Sequence, residues 1–305
     1  MARVVRTGAI SSSSEASDGP SVARARALGV PFEILASGYG LVEGPTEDTE
    51  GAIVFSDVLG GGVYRVDRAG AVTTIVPKRR GVGGIALHAD GGVVCSGRDI
   101  VHVRDGVTRT LFSVPGLPGW NDLCTDSAGR VYAGALRFAV FDPNAQPLPG
   151  ECYRIDKEGD AQVVYGGVLH ANGIGLSPDG RTIYHSDTRA GVIFVHDLDR
   201  AGQATARRTW AMSDGQPDGL AVDVDGGVWI ASAGGGRVDR YRPDGRVERS
   251  VAVPARIVTS VCFAGRDRCD LIVTTADHTA QPDLRGCVLR TRVDVAGAPV
   301  YPARI

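Results

Sequence analysis

The feature that most constrains this chain is a recurring unit, a tight turn followed at once by a short β-rich run. It appears as TEGAIVFSD at residue 49, DGGVVCSG at 90, SAGRVYAG at 127, PDGRTIYHSD at 178 and VDGGVWIAS at 224. The aligned glycines are Gly51, Gly91, Gly129, Gly180 and Gly226, at intervals of 40, 38, 51 and 46 residues. A sixth copy, GRDRCDLIVTTA at 265, puts Arg268 in the glycine position after a further 42 residues. Between the copies lie segments such as GGVYRVDRAGAVTTIV and GRVDRYRPDGRVERSV, which read as a second hairpin of the same unit. Four short strands in about 40–50 residues make one blade of a β-propeller. Six copies predict an all-β chain folded as a six-bladed β-propeller over residues 29–305, with residues near 30–36 supplying a closing strand.

Residues 1–28 are rich in Ser and Ala without a clear period and lack the apolar core of a secretory signal. They read as a mobile N-terminal arm with a short helical stretch near 21–28. No apolar run reaches about 18 residues, so no transmembrane helix is expected. The 42 glycines fit a chain of many tight turns. A net charge of −2 with no long basic run gives no reason to expect nucleic acid or an anionic membrane as partner. The six cysteines show no CxxC pair and several lie in apolar runs, so they read as reduced packing residues of a cytoplasmic protein.

Eight residues before each aligned turn position stand Glu43, Gly83, Asn121, Asn172, Asp218 and Ser260. A constant offset in equivalent blades puts these residues at one height on successive innermost strands, as a ring around the central channel. Four of the six carry carboxylates or carboxamides. Two buried carboxylates repel each other, and a cation between them removes that cost. An oxygen-only donor set with no thiol or imidazole suits a hard divalent cation in the channel. Ca, Zn, Mn and Mg all remain open as that ion. Taken singly, each of these residues also reads as a strand or turn cap, a role Asn-Gly and Asp-Gly often fill.

Four segments in order, LVEGPTEDTEGAIVFSDVLGGGVYRVD, WNDLCTDSAGRVYAG, NGIGLSPDGRTIYHSDT and PDGLAVDVDGGVWIA, resemble the senescence marker protein (regucalcin)/gluconolactonase family over residues 38–275. The resemblance implies a six-bladed propeller with one divalent metal in its channel and, in many members, hydrolysis of lactones. It assigns Glu43, Asn172 and Asp218 to metal-ligand positions. Asn121 matches the family's Asn-Asp motif, which contacts substrate in some members and the metal in related propellers. One departure stands out. Sugar-lactonase members tend to carry Arg two residues before that Asn, and here the position is Gly119. Losing that fork points to a small-molecule substrate less polar than a sugar lactone.

The expected activity is therefore a metal-dependent carboxylic ester hydrolase, a lactonase. Asp218 is the candidate general base that delivers water, and Glu43 serves as charge and ligand. Asn121, Trp120, His170 and Arg137 are candidates for substrate binding, with Trp120 equally readable as a core residue. His170 reads either as proton donor to the leaving alkoxide or as an exposed loop residue. Phosphotriester hydrolysis, a lyase or isomerase step on the same platform, and a non-catalytic metal-binding propeller are the alternatives. Asp57 and Asp187 read as hydrogen-bonding groups within blades. DVDGG (223–227) lacks the later ligands of a calcium loop, and no Gly-x-Ser-x-Gly elbow supports a serine hydrolase.

Overall fold

The computed structural model describes residues 26–28, 30–156, 160–205, 207–276 and 285–305. Six sheets, each built on four antiparallel strands and numbered here as blades one to six, follow one another along the chain. Their innermost strands are Val42–Glu47, Ile85–Leu87, Gly119–Thr125, Ala171–Leu176, Gln216–Val222 and Val258–Ala264. Successive inner strands are neighbours, and the strand of blade six returns to that of blade one, closing the ring. Five blades form entirely from consecutive strands. The sixth takes its outermost strand from Glu33–Ala36, antiparallel to Val288–Arg292 with Ile34 opposite Leu289. The expected closing strand is thus in place.

The turns that revealed the repeat share one backbone geometry. Gly51, Gly91, Gly129, Gly180, Gly226 and Arg268 all have positive φ, from 57° at Arg268 to 91° at Gly91. Each donates its N–H to the carbonyl three residues earlier. Five glycines take this left-handed conformation without a Cβ penalty, whereas Arg268 bears that strain. Its side chain also donates to Ala298 O.

The core is divided among the seams. Six apolar clusters each join two neighbouring blades: Val54, Val63, Val93 and Val101 between one and two, Trp229, Val251, Phe263 and Leu271 between five and six. A fully buried Val, Leu, Ile or Phe in such a cluster contributes roughly 1.5–3 kcal/mol. Three of the six free cysteines, Cys95, Cys152 and Cys287, are buried within this packing.

Two features depart from the sequence expectation. Residues Arg26–Leu28 form a strand, not a helix, pairing parallel with Arg249–Val251 on the outer edge of blade five. The remainder of the expected helical stretch and of the arm lies outside the described residues. The second feature is the segment after blade six. Gly297 N donates to Arg268 O (2.9 Å) and Ala298 N to Val222 O (2.8 Å), at the base of blades five and six. Ala303 N donates to Leu87 O (2.8 Å) and Arg304 N to Gly129 O (2.8 Å), at the base of blades two and three. Those pairs lie opposite each other on a six-membered ring, so residues 298–303 cross the base of the channel. Among the described residues no helix is long and apolar enough to cross a membrane.

Candidate metal centre in the central channel

The ring positions lie near the N-terminal ends of the inner strands, at the face opposite the crossing segment. Their local structure repeats. Strand register shifts between Glu43 and Thr46, Trp120 and Leu123, Ala171 and Ile174, Pro217 and Leu220, and Val258 and Ser260. A bulge at the same height in five blades re-aims side chains away from the pleat and towards the channel. In blade two the inner strand begins only at Ile85, beyond Gly83. There Ser96 Oγ accepts the N–H groups of Gly83 (3.0 Å) and Gly84 (2.9 Å) and pins the backbone instead.

Glu43, Asn172, Asp218 and Ser260 are buried, and Asn121 is half-buried. Both carboxamides are tethered through nitrogen. Asn121 Nδ2 donates to Ala171 O (2.8 Å) on the inner strand of the next blade. Asn172 Nδ2 donates to Thr188 Oγ1 (3.1 Å), which itself donates to Pro217 O (2.8 Å). These bonds leave both amide oxygens as the free ends. A Cβ on Gly83 would overlap Asn121 Oδ1, so the bare second position makes room for the carboxamide of the third. Asp218 Oδ1 is buried and, among the described residues, has no hydrogen-bond partner.

Burial raises the pKa of Glu43 well above the usual carboxylate range, and the charges of Asp218 and Asp122 raise it further. Asp218 is raised in the same way, by burial first and then by Asp122, with the Gly219 N–H and Asn172 opposing. Burial alone pushes Asp122 up to about 7, against the hydrogen bonds it accepts from Leu123 N (2.7 Å) and Ile174 N (3.4 Å). Among the described residues no three His, Cys, Asp or Glu side chains converge as a ligand set. Asp122 accepts backbone N–H groups of blades three and four, and the ring positions themselves offer two carboxylates and two carboxamide oxygens. This all-oxygen set with an orphaned buried carboxylate oxygen fits a hard divalent cation.

Asp122 is the site residue that sequence reasoning missed. Gly44, Gly84, Gly173 and Gly219 occupy the column just after the ring, where the neighbouring blade approaches closely. A Cβ on Gly84 would lie 2.5 Å from Leu123 N, and one on Gly173 would lie 2.5 Å from Asp218 O. A carboxylate in a column of glycines was the available signal.

One expectation needs correction. Trp120 is 1% exposed and packs between Phe112 and Tyr153 in the cluster joining blades two and three, so it is a core residue and does not line the site. Strand alternation, which separates neighbours such as Trp120 and Asn121, anticipates this. Arg137, half-exposed, makes a two-pronged pair with Glu151 (2.8 and 2.9 Å) within blade three. His170 is half-buried beside Phe138, with its backbone N–H on Asp187 Oδ1 (3.1 Å). Burial lowers its pKa, which favours the neutral imidazole. Asp57 and Asp187 do bind backbone: Asp57 accepts from Gly40 and Gly60, and Asp187 from Leu169 and Ala190.

A cleft of about 200 Å³ between blades six and one, lined by Glu47, Arg68, Asp270 and Arg290, shares no residue with the ring.

Residues 41–277 match the family described as the SMP-30/Gluconolactonase/LRE-like region. The chain belongs to that family. It is similar to a 6-deoxy-6-sulfogluconolactonase of Pseudomonas putida, 36% identical over 266 residues that cover 81% of this chain and 89% of the relative. A pentonolactonase of Haloferax volcanii is 30% identical, with 86% of this chain and 94% of the relative covered. Among solved structures, a regucalcin of Agrobacterium tumefaciens described as calcium-binding superposes with a TM-score of 0.81. That likeness covers 92% of this chain and 99% of the regucalcin at 24% identity, and it shows the shared six-bladed fold.

Proposed function

We propose that this family member is a divalent-metal-dependent lactonase acting on a sugar-acid lactone. The observation that carries the reading is the orphaned Asp218 Oδ1, buried on a ring with Glu43 and two carboxamides whose nitrogens are already tied back. The names of the two relatives, both sugar-lactone hydrolases, support the reaction class and favour a sugar lactone over the less polar substrate expected from Gly119. Glycine at 119 also has a steric reason, since a Cβ there would stand 3.2 Å from Gly97 O.

Glu43, Asn121, Asn172 and Asp218 would hold the cation through oxygen. When bound, a divalent cation supplies Lewis-acid polarisation of a carbonyl and a lowered pKa for water. Asp218 Oδ1 accepts the proton of the attacking water, whose oxygen bonds to the lactone carbonyl carbon. The ring C–O bond then breaks and the proton passes to the departing alkoxide, giving the hydroxy acid. Asn121 and Asn172 fix the height at which substrate sits, because the first is anchored to the next blade and the second to Thr188 of its own, which in turn bonds blade five. His170, neutral at the mouth, offers an imidazole hydrogen bond rather than a positive charge. The segment crossing the base leaves the ring face as the route for substrate.

The test is hydrolysis of aldono-, aromatic and aliphatic lactones by EDTA-stripped protein, before and after adding Ca, Mg, Mn or Zn singly. Restoration of sugar-lactone opening by one ion is expected. Full activity without any divalent ion would overturn the reading.

A further inference from the structure

The face of the propeller around the channel mouth carries charges that the reaction above does not use. Among the described residues, its carboxylates outside the ring are engaged. Asp99 holds Arg79 (2.6 Å), Glu151 holds Arg137, and Asp214 holds Arg237. Asp57 and Asp187 are occupied by backbone N–H groups. Arg98 and Arg189 are exposed and, among the described residues, neither has a carboxylate within ion-pair distance. Among the described residues, Arg80 and Arg256 in neighbouring loops also lack an ion pair, but only Arg98 and Arg189 sit on the two blades that flank Asn121.

Their positions are set by the same elements that set the ring. Gly97 forms an antiparallel bridge with Trp120, the Trp120 N–H donating to Gly97 O at 2.7 Å. That register puts Arg98 directly opposite Gly119, two residues before Asn121. At about 3.3 Å per residue, Arg98 is anchored about 7 Å above the ring. The loop that carries it is held by Arg79, which donates to Ser96 O (3.2 Å) and Asp99 O (2.7 Å). Gly119 offers no side chain to fill the space beside it. On the other side of blade three, Arg189 follows Thr188, whose hydroxyl receives Asn172 Nδ2. The two cations therefore flank the blade that bears Asn121.

We propose that Arg98 and Arg189 form an anion-recognition pair at the channel mouth, selecting a lactone that carries a carboxylate or sulfonate at the end remote from its ring carbonyl. The proposal rests on the lactonase reading and adds the substrate's charge to it. A guanidinium fork matches both oxyanions, and a charge-assisted hydrogen bond in a partly desolvated mouth discriminates more strongly than one in open water.

The experiment compares kcat/KM for D-glucono-1,5-lactone, which is neutral, with D-glucaro-1,4-lactone and a 6-sulfo-gluconolactone, using the metal-loaded protein. All three release a new carboxylate on opening, so product binding acts on every arm alike. The charged-to-neutral ratio is expected to fall about tenfold in Arg98→Gln and again in the double variant with Arg189→Gln, mostly through KM. Arg104→Gln, on an outer strand, keeps the wild-type ratio. Whichever charged lactone has the higher ratio identifies the oxyanion. A ratio unmoved by both substitutions, or a wild type that prefers the neutral lactone, overturns the proposal. If the wild type opens none of the three, the lactonase reading fails instead. Calorimetric binding of D-glucaro-1,4-lactone to wild type and double variant then decides the pair, with equal affinities counting against it.

Discussion

Gly83 and Asn121 occupy one space: the glycine's missing side chain lies where Asn121 Oδ1 stands. The gap at the second ring position is therefore part of the site, and the carboxamide of blade three reaches into it. Adding a single methyl group there must displace either the amide or the backbone held by Ser96.

Gly83→Ala is thus expected to lower divalent-ion affinity by at least tenfold, about 1.4 kcal/mol, with a smaller loss of stability in the metal-free protein. Calorimetric titration with the activating ion checks it. Unchanged affinity would show that Asn121 is not a ligand.

Asp218→Asn separates catalysis from folding. Turnover should fall by about 10²–10⁴-fold, the range for removal of a general acid–base group. The metal-free variant should melt no lower than metal-free wild type, because a buried carboxylate facing Glu43 and Asp122 costs stability until a cation offsets it. Thermal melts with EDTA and with saturating metal give both numbers. Loss of fold in EDTA would refute the electrostatic account.

Trp120→Phe tests the corrected placement. Its ring is buried against Phe112 and Tyr153, so the smaller ring should cost about 1–3 kcal/mol of stability and leave KM for the lactone within about twofold. A large KM change at unchanged stability would return Trp120 to the pocket.

Remote from the channel, one buried histidine works against stability on mild acidification, opposite in sign to the raised carboxylates of the ring. His185 lies buried in the core where blades three and four meet, with Nδ1 hydrogen-bonded to the Tyr165 hydroxyl (3.0 Å), and burial lowers its pKa to about 3. A histidine depressed in the fold stays neutral there while the unfolded chain takes up a proton near pH 6.5. Its stabilising contribution is therefore complete above pH 6.5 and is lost as pH falls towards 3. Between pH 6.5 and 5 the loss is about 1.6 kcal/mol. His185→Gln should be less stable than wild type at pH 7 but flatter over that interval in urea denaturation. Parallel pH profiles would count against His185 as the source.

Much of the site is legible in the sequence because a propeller repeats its geometry. The turn at Gly180 and the ring residue Asn172 are separated by one inner strand, and the same separation recurs in every blade. Counting back eight residues therefore finds Glu43, Asn121 and Asp218 without any knowledge of contacts. Alternation likewise argues against Trp120 in the channel. Asp122 was within reach through its glycine-rich column, although neither its partner Ile174 nor its burial is.

The sequence by itself determined the six-fold period, the turn conformations and the height of the ring, since these are properties of one blade repeated at a near-constant length. Only the tertiary structure decided what crosses between blades: Arg137 turned to Glu151, Arg98 set opposite Gly119, Asp122 placed in the seam of Ile174, and residues 298–303 laid across the base. Those relationships join residues with no common period. They arise from the close approach of packed sheets, where a missing Cβ or an unpaired N–H on one blade dictates what its neighbour can place there.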